Sequence, residues 1–451
     1  MNRLAGRTSM ASLLAMLALL GPSIGLAHAS ESAKRFVLMT FWSDNATFYP
    51  GFPVPGSLDS AGKPRRNTAF SRALNRINVL AYAFLQVNDA ADVYFSHPQV
   101  DLSAQDRRAF CTRSPTSCPD LAKVSAGSFR AFARLQNRRH TLRKIVSIGG
   151  AHSQTTMDNA LGHPRRFVRS VQTILAAYHL DGVDLDFEPN AFFLGDQGGK
   201  LAAIVASLRS VLGPTAFISV EVPADWETLS SIECGGTLSC HDNLAAISRS
   251  AYLSLMGYAW HSPLYPGPPL TANDSNLLSD PASPLAAGFD HISDVQAVDF
   301  LTFRGVPARK ILLGFPAFLK AYGGVVQGGA AYGLYQAFNP GKTRRYDLPT
   351  FKGSATYRMA VKLLQSGFTR HYVRIDRIVS SVYAYNTHSH RWISFEDPVS
   401  VAAKARYVRS HDLGGMMMWQ IATDMPPGSQ LSLLSAAHAA LSSRGSVGDR
   451  R

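Results

Sequence analysis

The sequence predicts an α/β fold, a (β/α)8 TIM barrel with a small α+β insertion between its seventh and eighth strands. Three observations carry this: eight short apolar runs rich in β-branched residues, segments of period 3.6 between them, and one gap far longer than the rest. The runs are 36–41, 77–84, 144–148, 183–187, 217–222, 252–256, 310–315 and 414–419. Between them Phe167, Val171, Ile174, Leu175 and Tyr178 share one helix face, as do Leu201, Ile204, Val205, Leu208 and Leu212. About 100 residues separate Phe315 from Gly414, more than a βα connection needs. Within that stretch 374–385 and 390–395 alternate in strand fashion around a polar tip at 386–389, which predicts a small antiparallel insert. A helix over 399–408 returns the chain to the eighth strand. A last helix, with Leu431, Leu434 and Leu441 on one face, precedes a polar tail, 442–451, that reads as disordered. The barrel is thus assigned to 30–319 and 401–441, and the insertion to 320–400.

Composition narrows the class. Of 451 residues 46% are hydrophobic and 17% charged, which excludes a disordered or fibrous chain. The net charge is +14, but the basic residues are scattered in pairs such as Arg107-Arg108, Arg138-Arg139, Arg165-Arg166 and Arg344-Arg345. No basic stripe interleaves with aromatics, so nucleic acid is not an expected partner. The first 29 residues carry Arg3 and Arg7, an apolar run from Met10 to Leu20, and Ala27-His28-Ala29, the pattern of a secretory signal peptide. The protein is therefore expected to be exported, secreted or periplasmic, with no membrane span and as a monomer; the apolar run is too short to cross a bilayer.

The cysteines form two close pairs among turn formers, Cys111 with Cys118 and Cys234 with Cys240, which predicts two local disulfides. A metal site would want tighter spacing and would need the pairs to meet. No metal or cofactor is expected: His388 and His390 read as an exposed turn, and the glycine-rich stretch 323–333 lacks the lysine of a phosphate loop.

The informative segment is DGVDLDFEPN, where Asp184, Asp186 and Glu188 occupy alternate positions of the fourth strand. All three share one face, while Val183, Leu185 and Phe187 face the helices. Acids crowded in a low-dielectric setting cannot all ionise, so at least one must hold its proton near neutral pH, as a general acid requires. Glu188 ends the strand on the side where barrel enzymes carry their chemistry.

DGVDLDFE resembles the DxxDxDxE signature of glycoside hydrolase family 18, the chitinases and their relatives, here of bacterial type. Ser147-Ile148-Gly149-Gly150 is similar to that family's SxGG, Tyr82-Ala83-Phe84 to its YAF, and Met256-Gly257-Tyr258 to its MxY. Leu313-Gly314-Phe315-Pro316 resembles its seventh strand, and Gly414-Gly415 with Trp419 its eighth. The resemblance implies a retaining, substrate-assisted glycosidase cleaving β-1,4 links between N-acetylglucosamine units of chitin or its oligosaccharides. Acids at alternate positions of one strand lie on one side of a sugar, so Asp186 is poorly placed as a nucleophile for a sugar protonated by Glu188; the nucleophile that the resemblance implies is the substrate's own acetamido carbonyl. Glu188 would protonate the leaving oxygen, Asp186 would orient Glu188 or the acetamido group, and Asp184 would tune Asp186. Tyr258 would donate to the acetamido carbonyl, and Trp419 would floor the sugar ring. Asp181, which begins the strand, reads as structural.

Tyr82, Phe84, Gly149, Gly150, Met256, Trp42 and Trp260 are further candidates for substrate contact, and Trp226 follows a strand in the same way. Gly149 and Gly150 equally suit close backbone approach alone. Two departures stand out. Ala259 occupies a position where the family often has Asp or Asn, and Glu221 occupies one that is usually small and apolar, so Glu221 is a candidate to supply the missing carboxylate. These departures keep two other functions in view, a non-catalytic chitin-binding lectin and an endo-β-N-acetylglucosaminidase acting on glycoprotein or peptidoglycan.

Overall fold

The structure, a computed structural model, describes residues 36–44, 69–102, 128–190, 192–261, 270–284, 292–326, 332–343 and 354–443. All eight expected barrel strands form. They are β1 (Val37–Ser43), β2 (Val79–Val87), β4 (Arg143–Gly150), β5 (Gly182–Phe187), β6 (Phe217–Pro223), β7 (Tyr252–Met256), β8 (Ile311–Pro316) and β14 (Gly415–Trp419). Each pairs in parallel with its neighbours, and β1 pairs with both β2 and β14, which closes the ring. A short strand with no forecast in the sequence, β3 (Val93–Phe95), runs antiparallel along the end of β2.

Alternation along the strands builds two cores. The inward set includes Met39, Phe41, Val79, Ala81, Ile145, Phe217, Leu312 and Met417. The outward set joins the helices in one larger core, where helix Pro164–Tyr178 buries Phe167, Val171, Ile174 and Leu175 and helix Gln197–Leu212 buries Leu201, Ile204, Val205 and Leu208. Phe217 and Tyr252 stack at 5.1 Å inside the barrel and plug its N-terminal end. The inward-facing polar side chains of β4, β5 and β6, Ser147, Asp184, Asp186, Ser219 and Glu221, lie further along the strands than this plug, toward the C-terminal ends.

The long gap holds a five-stranded antiparallel sheet, ordered β10 (Ser354–Thr356), β9 (Phe318–Gly323), β13 (Arg391–Phe395), β12 (Ile378–Asn386) and β11 (Thr369–Ile375). Its first strand starts at Phe318, two residues after β8 ends. The run 374–385, read as one strand, is interrupted by a tight turn at Asp376 and Arg377, both left-handed at φ 47° and 68°. Helix Pro398–Ser410 returns to β14, its start closed by a capping box between Asp397 and Ser400. The last helix is Leu433–Ser442, capped by Ser432, so Leu431 falls outside it and is exposed. Cys234 and Cys240 are bonded. Cys111, Cys118, the leader 1–29 and residues 444–451 of the tail lie outside the described residues.

Candidate active site

Register brings the acids together. Ser147 on β4 pairs with Asp184 on β5, which pairs with Ser219 on β6, and all three side chains point inward. Ser147 Oγ donates to Asp184 Oδ2 and Ser219 Oγ to Asp184 Oδ1, both at 2.6 Å. Asp184 is fully buried; burial pushes its carboxyl up to about 6, and the two hydroxyls hold it from rising further. Asp186, one layer higher and 4% exposed, is pushed well above the carboxylate range by burial, then by Glu188 and Asp184. Glu188 alone of the three reaches solvent, and burial of its carboxyl raises it to about 7. Glu221 stands among them on β6, buried, and is raised well above its ordinary value by burial and by Asp184 and Asp186. Among the described residues no Lys, Arg or His pairs with any of these four acids.

The backbone around Glu188 is clamped by Ser153, a residue the sequence motifs did not single out. Its Oγ accepts the Glu188 N–H at 2.9 Å and donates to the Asp186 carbonyl at 3.2 Å, while its own N–H donates to the Glu188 carbonyl at 3.1 Å. Gly149 makes this approach possible: with φ at +122°, a Cβ there would lie 2.0 Å from the Asp186 carbonyl oxygen. A Cβ on Gly150 would meet the Phe84 ring at 2.7 Å. Both glycines thus serve close packing beneath the mouth. Asp181 accepts the Lys144 N–H at 2.7 Å, securing the strand start as its position suggested.

Tyr258 lies opposite, beyond the end of β7, partly exposed and edge-on to Phe318 at 5.8 Å. Its hydroxyl approaches Met417 Sδ at 3.7 Å, and burial with the four nearby acids holds its proton on. A second polar group that the motifs missed supports this strand end. Ser275 Oγ donates to the Gly257 carbonyl at 2.5 Å, and Asp274 accepts the His261 N–H at 3.3 Å and also bears on that of Ala259. Ala259 is left-handed at φ 64°, a conformation these contacts hold. Beneath them Lys404, fully buried, reaches Asp294 at 2.7 Å, Glu396 at 3.0 Å and Ser275 Oγ at 2.6 Å. Burial alone would lower the Lys404 ammonium, but the two carboxylates more than offset it and keep it charged.

Trp419 lies partly exposed at the end of β14, stacked on Phe84 at 5.3 Å and tilted against Phe41 at 5.1 Å. Met256 also faces the barrel interior. Trp260 is half-buried against the outer core, and Trp226 projects into solvent, 55% exposed. Two candidates do not reach the mouth. Tyr82 and Trp42 are register partners on the outward face, both buried. Tyr82 OH bonds to Asp101 and sits 2.9 Å from Ser128 Oγ, with its ring edge-on to Phe129; Trp42 packs edge-on against Phe70. A wall of barrel backbone separates them from the acids, and both belong to the outer packing layer, not to the mouth. Phe84 is two residues from Tyr82 yet faces inward, because the β2–β4 register shifts between Tyr82 and Leu85.

The model of the family described as "Glycosyl hydrolases family 18" matches residues 58–424. The chain belongs to this family. It is accordingly a glycosidase on a family-18 barrel. Among similar proteins, Chitinase A1 of Niallia circulans is 27% identical over 332 residues, 66% of this chain and 43% of that protein. The chain thus spans less than half of that relative's length. Chitinase 1 of Aphanocladium album is 25% identical over 347 residues, covering 73% of this chain and 72% of its own. Among solved structures, the Group IV chitinase of Ostrinia furnacalis matches 91% of this chain and 100% of its own, with TM-score 0.68 at 17% identity, a likeness of fold. The class V chitinase of Nicotiana tobaccum, solved with NAG4, covers 91% of this chain and 99% of its own with TM-score 0.63 at 18% identity.

Proposed function

We propose that this family-18 glycosidase is an exported enzyme that hydrolyses β-1,4 links between N-acetylglucosamine units of chitin or chitooligosaccharides, with retention, through the substrate's acetamido group. One observation carries the reading. Among the described residues, Glu188 is the single solvent-reaching member of a buried acid cluster with no cation beside it, and its carboxyl keeps a proton up to about 7. A sugar lying over Trp419 would meet a proton donor at its glycosidic oxygen. Every other carboxyl of the cluster lies on that same side or below it, so an enzyme nucleophile on the opposite face is lacking among the described residues. The acetamido carbonyl fills that role, turned by the Tyr258 hydroxyl, while Asp186 and Asp184 stabilise the charge that develops on the intermediate. After the leaving group departs, Glu188 as carboxylate takes a proton from water.

The names of the relatives support chitin as the substrate class. The leader pattern and the Cys234–Cys240 bond fit an oxidising compartment outside the cytoplasm. In the same reading 30–319 and 401–441 form the catalytic barrel and 320–400 builds one wall of the substrate groove.

The test is chitotetraose cleavage by the protein beside its Glu188→Gln variant, with products and anomeric form followed over time and binding measured in parallel. The variant is expected to lose about 10²–10⁴-fold in rate, and the wild type to release N-acetylated products as the β-anomer. Binding without cleavage by both proteins would make this chain a lectin. Neither binding nor cleavage would move the search to glycoprotein and peptidoglycan glycans.

A further inference from the structure

The acid cluster contains one carboxyl to which the reaction above gives no task. Glu221 lies on β6 two residues after Ser219 and on the same inward face; Ser219 Oγ already reaches Asp184 at 2.6 Å. β5 and β6 pair in register up to Leu185 opposite Val220, so the next residues along each strand, Asp186 and Glu221, are lateral neighbours inside the barrel. Both side-chain oxygens of Glu221 and Oδ1 of Asp186 are buried without a well-aligned hydrogen-bond partner.

The groups facing Glu221 are Asp184, Asp186 and Glu188 from β5, and Ser254 and Tyr258 from β7, with Ser254 its register partner. None of them is a cation. A carboxylate so placed would have its charge desolvated beside three other acids, whereas a carboxylic acid has a hydrogen to donate to the acceptors around it.

We propose that Glu221 is a positioning residue that remains a neutral carboxylic acid and donates its hydrogen bond to the Asp184–Asp186 pair, the one donor that Ser147 and Ser219 leave this pair without. It rests on the reading of the β5 acids as the catalytic group. Asp184 then shares three donors and can hold a negative charge deep in the barrel. That charge keeps the remaining proton on the upper acids, where Glu188 uses it. Glu221 itself touches no substrate.

The experiment compares wild type, Glu221→Gln, Glu221→Leu and Glu188→Gln. The pH profile of kcat/KM on chitotetraose is measured from pH 4 to 9, with melting temperature as a folding control. The infrared carbonyl band of protonated carboxylic acids is recorded at pH 8. Gln, whose amide donates from the same place, is expected to retain activity within a few-fold of wild type with both limbs unmoved. Leu is expected to lose about tenfold or more and to shift the acid limb upward by about one pH unit, since a pair stripped of a donor ionises less readily. The infrared band should weaken in Glu221→Gln relative to wild type.

The proposal is overturned if folded Glu221→Gln is as impaired as Glu221→Leu, if Glu221→Leu matches wild type in rate and profile, or if the band is unchanged in Glu221→Gln. Equal activity of wild type and Glu188→Gln would instead refute the catalytic reading. In that event the infrared band still decides whether Glu221 holds a proton.

Discussion

Lys404 offers the sharpest test of how the mouth is held. Lys404→Met keeps much of the side-chain volume and removes the charge, leaving Asp294 and Glu396 buried without the cation that now lies 2.7 and 3.0 Å from them. Removing one partner of a buried ion pair costs about 3–5 kcal/mol. The loss is smaller at low pH. Burial already pushes the Asp294 carboxyl up to about 7, so below that pH it is readily neutralised once the lysine is gone, whereas at pH 8 it must stay charged or bind a proton at a cost. With an unfolding entropy of ~2.1 cal/mol/K per residue over roughly 400 residues, each kcal/mol moves the midpoint by ~1.2 °C, so 3–5 kcal/mol is a drop of about 4–6 °C. Differential scanning calorimetry at pH 6 and pH 8 would read it, with the larger drop expected at pH 8. Adding Asp294→Asn and Glu396→Gln to Lys404→Met should recover at least half of the loss. Because Lys404 also holds Ser275, which supports the Gly257 carbonyl beside Tyr258, KM on chitotetraose should rise as well. A shift below 1 °C at both pH values, or a triple variant less stable than the single one, would refute this account.

Other consequences can be checked directly. Activity should fall as pH rises through about 7, because Glu188 is raised to that value and only its protonated form can donate; a rate that stays flat to pH 9 would contradict it. Gly149→Ala places a Cβ 2.0 Å from the Asp186 carbonyl oxygen at φ +122°, and its melting temperature should show a loss of about 3 kcal/mol or more. Gly162→Ala, in a helix with nothing within 4 Å of the new Cβ, should gain up to about 1 kcal/mol in the same assay. Trp226→Ala removes an aromatic plane 55% exposed just past the end of β6, and calorimetric titration should show weaker binding of long oligosaccharides with chitobiose binding unchanged.

The barrel was legible because each strand is short, apolar and bounded, and because the acids stand at alternate positions where the pleat must put them on one side. The insert's hairpin was not, since Asp376 and Arg377 take left-handed turn conformations without a glycine to mark them. Leu431 fits the helical period, but Ser432 caps the helix after it. Tyr82 and Trp42 show the limit of motif matching: a motif gives a position along a strand, but plain alternation with the inward Met39, Phe41, Val79 and Ala81 turns both outward, and only Phe84 is brought inward past the register shift against β4. Asp274, Ser275 and Lys404 were invisible for a related reason. Each is an ordinary polar residue in its own segment, and the meaning of the set arises only when segments 120 or more residues apart meet, as when Asp274 N–H donates to Ser394 Oγ at a separation of 120.

The way the ring closes also bears on how the chain reaches its fold. Thr40 Oγ1 donates to the Met418 carbonyl across 378 positions, joining the first strand to the last. Until β14 arrives, β1 and β8 each present an open edge, and the closing contact must overcome the largest loop entropy in the molecule. The insert lies between β8 and β14, and its adjacent strands β11 and β12 can zip together locally, which draws the two ends of the final gap toward each other. Destabilising that hairpin should therefore slow closure more than it lowers final stability, and should lengthen the interval in which open strand edges on different chains can pair with one another.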